Sequence, residues 1–240
     1  MTSPRPLIVA IDGPAGAGKS TVSKILARRL HFVLVDTGAI YRCVALRARR
    51  GHLALNDDAK LEPLLHSLNL EFRLDDEADV NHVILDGEDV SDAIRTPENS
   101  MAASQVSGRP VVRNGLLELQ RRLALSAKTG AILEGRDIGT VVFPDADVKV
   151  FLHADPTIRA RRRYEELFQK GTEKPVGEVL AEQNKRDDED TKREVAPLKP
   201  AADAVGIDST DLPLSDVVQR IEHLVAAARG RTGAKEPVST

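Results

Sequence analysis

A glycine-rich segment that ends in lysine and serine carries the strongest chemical signal in the sequence. It has the letters GPAGAGKS and fits the pattern G-x-x-x-x-G-K-[ST]. Glycines let consecutive backbone N–H groups point at a phosphate, and the positive end of a following helix adds to the attraction. We expect Lys19 to bridge the outer phosphates of ATP and the Ser20 hydroxyl to bind Mg²⁺. The predicted ATP-binding residues of this segment are Gly13, Pro14, Ala15, Gly16, Ala17, Gly18, Lys19, Ser20 and Thr21.

Two further polar clusters follow apolar runs that predict strands. The segment VDTGAIYR contains Asp36, Thr37 and Arg42, and the segment EGRD contains Arg136 and Asp137. Ligands bind at the carboxyl edge of a parallel sheet, so both clusters are predicted to face one crevice, where the arginines would hold an anion. The alternatives are a helix cap in the first segment and a surface salt bridge in the second.

Arginines also recur at helical spacing in the second half of the chain. Arg186, Asp190 and Arg193 are spaced four and three apart, which places them on one helical face. That face is either a binding surface or a solvated ladder of salt bridges. Earlier in the chain, Arg159 and Arg163 share a face of an arginine-rich helix and are candidates for contact with the ATP phosphates.

Five short apolar runs indicate the elements that must position these residues. Each run is almost continuously apolar, as in strands covered by helices on both sides. The sequence therefore predicts an α/β fold with a five-stranded parallel sheet. The predicted strands are residues 7–11, 32–35, 131–133, 148–152 and 204–207.

Two excursions interrupt this pattern. The first, residues 37–130, is long enough to hold an antiparallel hairpin, residues 69–74 with 82–85, and an amphipathic helix, residues 110–128, with a left-handed stop at Gly130.

The second excursion follows the fourth predicted strand. Its sequence predicts a solvated flap of two helices between residues 156 and 193, interrupted at Gly171. A last helix, residues 214–228, is expected to end at Gly230, and the polar tail 231–240 is expected to be disordered.

The amino-acid composition argues against several classes of protein. The chain has 240 residues, 34 basic and 37 acidic, for a net charge of −3, which argues against a nucleic-acid coat protein. Aromatic residues make up 3% of the chain, too few for a base-stacking platform. Cys43 is the one cysteine, so an internal disulfide is excluded, and no long apolar or signal-like segment is present. A cytoplasmic location is expected.

Three other nucleotide-binding functions compete at this stage. The tetrapeptide Asn184-Lys185-Arg186-Asp187 matches the guanine-reading N-K-x-D of GTPases, but its place in a charged helix argues against that function. A kinase for the hydroxyl group of a small metabolite would use Asp36 as its general base. A nucleotide-binding switch would need mobile segments marked by a D-x-x-G motif before the N-K-x-D tetrapeptide. The D-x-x-G of this sequence, Asp203 to Gly206, follows that tetrapeptide instead.

Matching stretches run almost from end to end of the chain: IDGPAGAGKST, VDTGAIYR, VILDGEDVS, IRTPENSMAASQVS, VVRNGLLELQRR, EGRDIGTVVFPDA and KRDDEDTKREVAPLKPAADAVGIDST. In these stretches the sequence resembles the bacterial cytidylate kinases, nucleoside-monophosphate kinases that act on CMP and dCMP. The resemblance implies a core of residues 1–36, 111–155 and 194–230, a monophosphate-binding insertion, 37–110, and a lid, 156–193, with 231–240 as tail.

The resemblance also implies roles for individual residues. Glu134, where some relatives carry aspartate, would be a partner of magnesium or water, and at position 37 some relatives carry serine instead of threonine. The implied catalytic residues are Lys19, Arg136, Arg186 and Arg193. The implied CMP-binding residues are Asp36, Thr37, Arg42, Ser104, Arg113, Arg136, Asp137, Arg186, Asp190 and Arg193, with Ser104 and Asp137 at the cytosine edge and Asp190 at the sugar.

The activity that follows is transfer of the ATP γ-phosphoryl group to CMP or dCMP, which gives ADP and CDP or dCDP. Mg²⁺ is the expected cofactor. Small nucleotides are the expected partners, with no nucleic acid and no membrane, and the protein is expected to be a monomer.

Overall fold

A computed structural model of the chain describes residues 5–75, 80–169 and 171–233. Its central sheet has five parallel strands in the order β2-β6-β1-β7-β8, which confirms the predicted sheet. Each observed strand lies within about two residues of its prediction. The strands are β1 (Leu7–Asp12), β2 (Val33–Asp36), β6 (Gly130–Gly135), β7 (Val148–His153) and β8 (Val205–Asp208).

The register of the strands brings the predicted clusters to one edge. Along β1, Asp12 lies opposite Gly135 of β6, and along β2, Asp36 lies opposite Glu134. The segments that follow β1, β2 and β6 therefore leave the sheet side by side. This edge is where a parallel sheet binds ligands.

Helices cover both faces of the sheet. On one face, the buried side chains of α1 (Lys19–Leu30) and α8 (Leu214–Gly233) pack with those of β1 and β7. On the other, α2 (Thr37–Arg50) and α5 (Pro110–Leu125) pack with the alternate side chains of β1 and β6. Burial on both sides explains the continuous apolar runs in the sequence.

The first excursion contains the predicted hairpin and more. Strands β3 (Leu70–Asp75) and β4 (Val80–Leu85) pair antiparallel, and a two-residue strand β5 (Glu88–Asp89) joins them. Helices α3 (Asp58–His66) and α4 (Pro97–Ser107) complete the insertion. The sequence analysis predicted neither α3 nor β5.

The second excursion forms α6 (Pro156–Gln169) and α7 (Val176–Lys192). Gly171 separates them with a φ of +75°, a backbone conformation that glycine adopts without strain. The predicted pair of helices is confirmed.

Two predicted helix ends are wrong. Helix α5 ends at Leu125 instead of residue 128, and Gly130 is the first residue of β6. A Cβ at Gly130 would lie 2.4 Å from the Phe32 ring, so close packing explains this glycine. Helix α8 continues through Gly230 to Gly233, and the rest of the predicted tail, 234–240, lies outside the described residues.

Candidate functional site

The glycine-rich segment forms a loop between β1 and α1. A Cβ at Gly13 would lie 1.9 Å from the carbonyl oxygen of Leu152, so only glycine fits there. Gly18 precedes α1 in a left-handed conformation and offers no side-chain cap, which leaves the first N–H groups of α1 for an anion. The Lys19 ammonium is buried and donates to the carbonyl oxygen of Pro14 at 2.6 Å. The loop therefore places uncapped N–H groups and a buried ammonium together, an arrangement suited to an anion.

Two buried groups next to this loop have perturbed pKa values. The Ser20 hydroxyl donates to Oε2 of Glu134 at 2.8 Å. Burial, reinforced by repulsion from Asp36, raises the pKa of Glu134, while burial and the nearby Arg136 lower the pKa of Lys19. A bound triphosphate would supply negative charge beside Lys19, and a bound cation would favour ionised Glu134.

Asp36 and Thr37 have structural partners at the start of α2. Asp36 caps the helix by accepting from the backbone N–H of Ala39 at 2.8 Å, and its other oxygen pairs with Arg42 at 3.0 Å. The alternative of a helix cap is therefore correct for Asp36. Thr37 is buried and donates to the carbonyl oxygen of Glu134 at 2.7 Å, which ties α2 to β6.

A charged cluster joins the end of β6 to the lid helix α7. Arg136 donates through Nε to Asp190 at 2.8 Å, and Arg193 donates to the other oxygen of Asp190 at 3.2 Å. Burial alone would raise the pKa of Asp190, but the two arginines hold it below its usual value. Arg193 itself follows the last residue of α7, so the predicted face continues past the end of the helix.

A second buried ion pair lies beside this cluster. Arg113 and Asp137 approach within 2.6 Å, and both side chains are less than 10% exposed. Arg193 lies 3.8 Å from the other oxygen of Asp137, and the Arg113 guanidinium lies over the ring of Tyr41, 5.2 Å from its centre. Burial raises the pKa of Tyr41 to about 12. The sequence analysis did not identify Tyr41, although it lies in VDTGAIYR between two predicted site residues.

Arg186 differs from the other arginines of the cleft. Among the described residues, no carboxylate lies within ion-pair distance of its guanidinium, and the side chain remains exposed. Partial desolvation by neighbouring residues and repulsion from Arg136 lower its pKa to about 10, although the side chain keeps contact with solvent, so it stays positive near neutral pH. A cation without a carboxylate partner, next to a second cation, is suited to bind an anion.

Three other predicted residues are not brought into this network. The Ser104 side chain is half-buried, and no described residue accepts a hydrogen bond from its hydroxyl. Arg163 is exposed and pairs with Glu166 at 2.9 Å. Arg159 is buried and donates to the carbonyl oxygens of Ala15 and Ala154. The expectation of a wholly solvated flap is wrong at Arg159.

The lid lies against the glycine-rich loop through these contacts. Arg159 also pairs with Asp187 at 2.5 Å, which links α6 to α7. Gln183 donates to the same carbonyl oxygen of Ala15 at 3.3 Å. The tetrapeptide that resembles a guanine-reading motif lies within α7, where Asp187 is already paired, which agrees with its rejection.

One buried carboxylate of the site was missed altogether. Asp12 is 4% exposed, and its two oxygens accept hydrogen bonds from the backbone N–H groups of Ile138 and Gly139 at 2.8 and 2.7 Å. Burial raises its pKa to about 6. An acidic residue at the end of an otherwise apolar strand, directly before the glycine-rich loop, was the available signal.

Comparison with known proteins identifies the family of the chain. A family model described as cytidylate kinase matches residues 9–227. The cytidylate kinase of Geobacter sulfurreducens is 52% identical over 221 residues, which cover 92% of this chain and 93% of that protein. The cytidylate kinase of Azotobacter vinelandii is 45% identical over 225 residues, which cover 94% of this chain and 97% of the relative.

Proposed function

The chain belongs to the cytidylate kinase family, and from that premise we propose which role each site residue has in the transfer of the ATP γ-phosphoryl group to CMP or dCMP. The enzyme is a nucleoside-monophosphate kinase, and its products are ADP and CDP or dCDP. The observation that carries the assignment of residues is the cluster in which Arg136, Asp190 and Arg193 join the end of β6 to the lid.

The glycine-rich loop is the proposed ATP site. Its N–H groups and Lys19 would bind the β and γ phosphates, and Lys19 would neutralise the charge that develops during transfer. Ser20 and Glu134 offer two oxygen ligands 2.8 Å apart, a donor set that suits Mg²⁺. When bound there, Mg²⁺ supplies further positive charge at the phosphates. Arg159 and Arg163 remain proposed contacts, although Arg159 already has protein partners in this lid position.

The acceptor phosphate is proposed to bind Arg42, Arg136 and Arg186, with Thr37 supporting the same wall of the cleft. A phosphate monoester has a second pKa of about 6, so CMP arrives as a nucleophile without needing a general base. The rival hydroxyl kinase would need Asp36 as that base. Both Asp36 oxygens are occupied, one by a backbone N–H and one by Arg42, so this rival is not favoured.

The nucleoside is proposed to contact the buried pairs behind the arginines. Cytosine presents an amino donor beside acceptor atoms, and a carboxylate with a neighbouring guanidinium complements that pattern. Asp137 with Arg113 provides it, Ser104 lies on the adjoining helix α4, and Asp190 would meet the sugar. The resting structure satisfies these charges with each other, so we infer that CMP exchanges some of these bonds for its own.

Residues 156–193 act in this proposal as the lid, residues 37–110 as the monophosphate-binding insertion, and the remaining described parts as the core. Closure over both substrates would keep water from the γ-phosphate. Within the described residues, no helix combines the length and apolar character needed to cross a membrane. We propose a cytoplasmic monomer that acts on small nucleotides.

The experiment that tests the assignment of residues is the substitution Arg136→Ala. We expect CMP affinity, measured by calorimetry, to fall at least tenfold while ATP affinity changes less than threefold. Arg161→Ala is the matched control, because Arg161 is 74% exposed on α6 and its ion pair with Glu165, at 3.4 Å, lies on the surface. Unchanged CMP affinity in the Arg136 variant would contradict the proposed acceptor site.

A further inference from the structure

Asp12 is a buried carboxylate that the proposed roles do not use. It ends β1, where its backbone pairs with Gly135 of β6 and Phe151 of β7. No cation of the described residues lies within ion-pair distance of its oxygens. Each oxygen instead accepts from one of two consecutive backbone N–H groups, those of Ile138 and Gly139. A buried carboxylate is costly unless it is paired or hydrogen-bonded, so the ionised form of Asp12 depends on these two N–H groups.

The segment that Asp12 holds is the turn directly after the proposed acceptor residues. Arg136 and Asp137 leave the end of β6, and a helical turn, Ile138–Val142, follows them. The two N–H groups bound by Asp12 are the first two of that turn. Charge-assisted bonds to backbone N–H groups are short and directional, so the carboxylate fixes the direction in which this backbone leaves the strand.

The packing around the turn leaves it little freedom to move. A Cβ added at Gly139 would lie 3.2 Å from Cδ of Lys149 and 3.4 Å from Oδ2 of Asp12. A Cβ added at Gly135 would lie 2.7 Å from the Thr37 hydroxyl oxygen. The turn therefore packs at Gly139 against Lys149 of β7 and against Asp12, while Gly135, the last residue of β6, packs against the start of α2.

We propose that Asp12 is a positioning residue for the acceptor site, which holds the turn after β6 so that Arg136 and Asp137 meet the monophosphate. This inference rests on the proposed function of those two residues. Asp12 also immediately precedes Gly13, so it joins the turn that carries the acceptor residues to the loop that carries ATP. Its side chain acts on the acceptor side, because both of its oxygens bond there.

The test is Asp12→Asn, in which one oxygen becomes an amide NH₂ that faces a backbone N–H and loses that bond. We expect the KM for CMP to rise at least tenfold and kcat to fall, while the KM for ATP changes less than threefold. Asp147→Asn is the matched control: Asp147 accepts from the backbone N–H of Ile8 at 2.7 Å, at the other end of β1, away from the site. That variant should leave both KM values within twofold.

Two results would overturn the positioning role. One is an unchanged KM for CMP, and the other is an equal loss toward ATP and CMP, which would place the effect in the glycine-rich loop. If the variant does not fold, hydrogen exchange in the wild-type protein can still overturn the role: Ile138 and Gly139 amides that exchange as fast as unprotected amides would show that Asp12 does not hold the turn. A wild-type enzyme that phosphorylates no CMP would contradict the function itself, not this role alone.

Discussion

The substitution Arg186→Ala separates a catalytic cation from a structural one more sharply than any other change in the cleft. Arg113 pairs with the buried Asp137, and Arg136 and Arg193 pair with the partly buried Asp190. Removal of any of these arginines would both disturb the site and leave a carboxylate with fewer partners. Arg186 has no carboxylate within ion-pair distance among the described residues and lies near the positive Arg136. Replacement of Arg186 therefore relieves its repulsion with Arg136 in the free enzyme and removes a positive charge that attracts the reacting phosphates.

The expected magnitude follows from that difference. Removal of one preorganised group that stabilises transition-state charge costs about 10²- to 10³-fold in kcat, or about 2.7–4 kcal/mol. Because Arg186 forms no ion pair in the resting enzyme, the melting temperature should stay within about 2 °C of wild type or rise. ATP affinity should change less than threefold.

The assay is coupled ADP formation at saturating ATP and CMP, with ATP binding measured separately by calorimetry. Lys185→Ala is the matched control, since Lys185 is the preceding residue of α7, is 79% exposed and lies 3.9 Å from Glu189. The control should keep kcat within twofold. An Arg186 variant with kcat within threefold of wild type would refute the assignment, as would an equal loss in the control.

Lys19→Ala should abolish transfer, because its buried ammonium lies within the glycine-rich loop where the β and γ phosphates are proposed to bind; turnover above one hundredth of wild type would contradict the ATP site. Arg113→Met should lower the free energy of unfolding in urea by about 3–5 kcal/mol, because it breaks the buried pair with Asp137 and leaves that carboxylate only the more distant Arg193. Arg109→Met, which breaks the more exposed pair with Asp58, should cost at most about 1 kcal/mol. Asp12 has a folded-state pKa of about 6 against 3.8 in the unfolded chain, so the folded protein binds the proton more tightly and stability falls as pH rises from 4 to 6. Relative to Asp12→Asn, the wild type should lose up to about 3 kcal/mol of unfolding free energy between pH 4 and 6. Urea unfolding curves of both proteins at several pH values check this. A difference in unfolding free energy that does not change with pH would be inconsistent with the buried carboxylate.

The central sheet and the glycine-rich loop were predictable because their signals are local. Strands covered on both faces must be apolar along their whole length, and a phosphate loop must contain glycines that no other residue replaces. The carboxyl edge of the sheet then follows from chain order, which is why the Arg136 and Asp36 segments could be placed together before the structure was known.

Other features depend on contacts distant in the chain. Gly130 has the sequence signature of a helix stop, but the Phe32 ring, 98 residues earlier in the numbering, is what requires a glycine there. Arg159 and Arg163 have the same residue type and helical spacing, yet one is buried against the glycine-rich loop and the other is exposed. Asp12 could not be assigned a partner, since the N–H groups it binds lie 126 and 127 residues away.

The choice of acceptor is the most direct test of the account. ADP formation from ATP and Mg²⁺ should be measured with CMP, dCMP, UMP, AMP, GMP and shikimate as alternative acceptors at equal concentration. The account predicts strong stimulation by CMP and dCMP and little by the purine nucleotides or by shikimate, whose acceptor is a hydroxyl. Equal stimulation by AMP or GMP, or transfer to shikimate in preference to CMP, would contradict it.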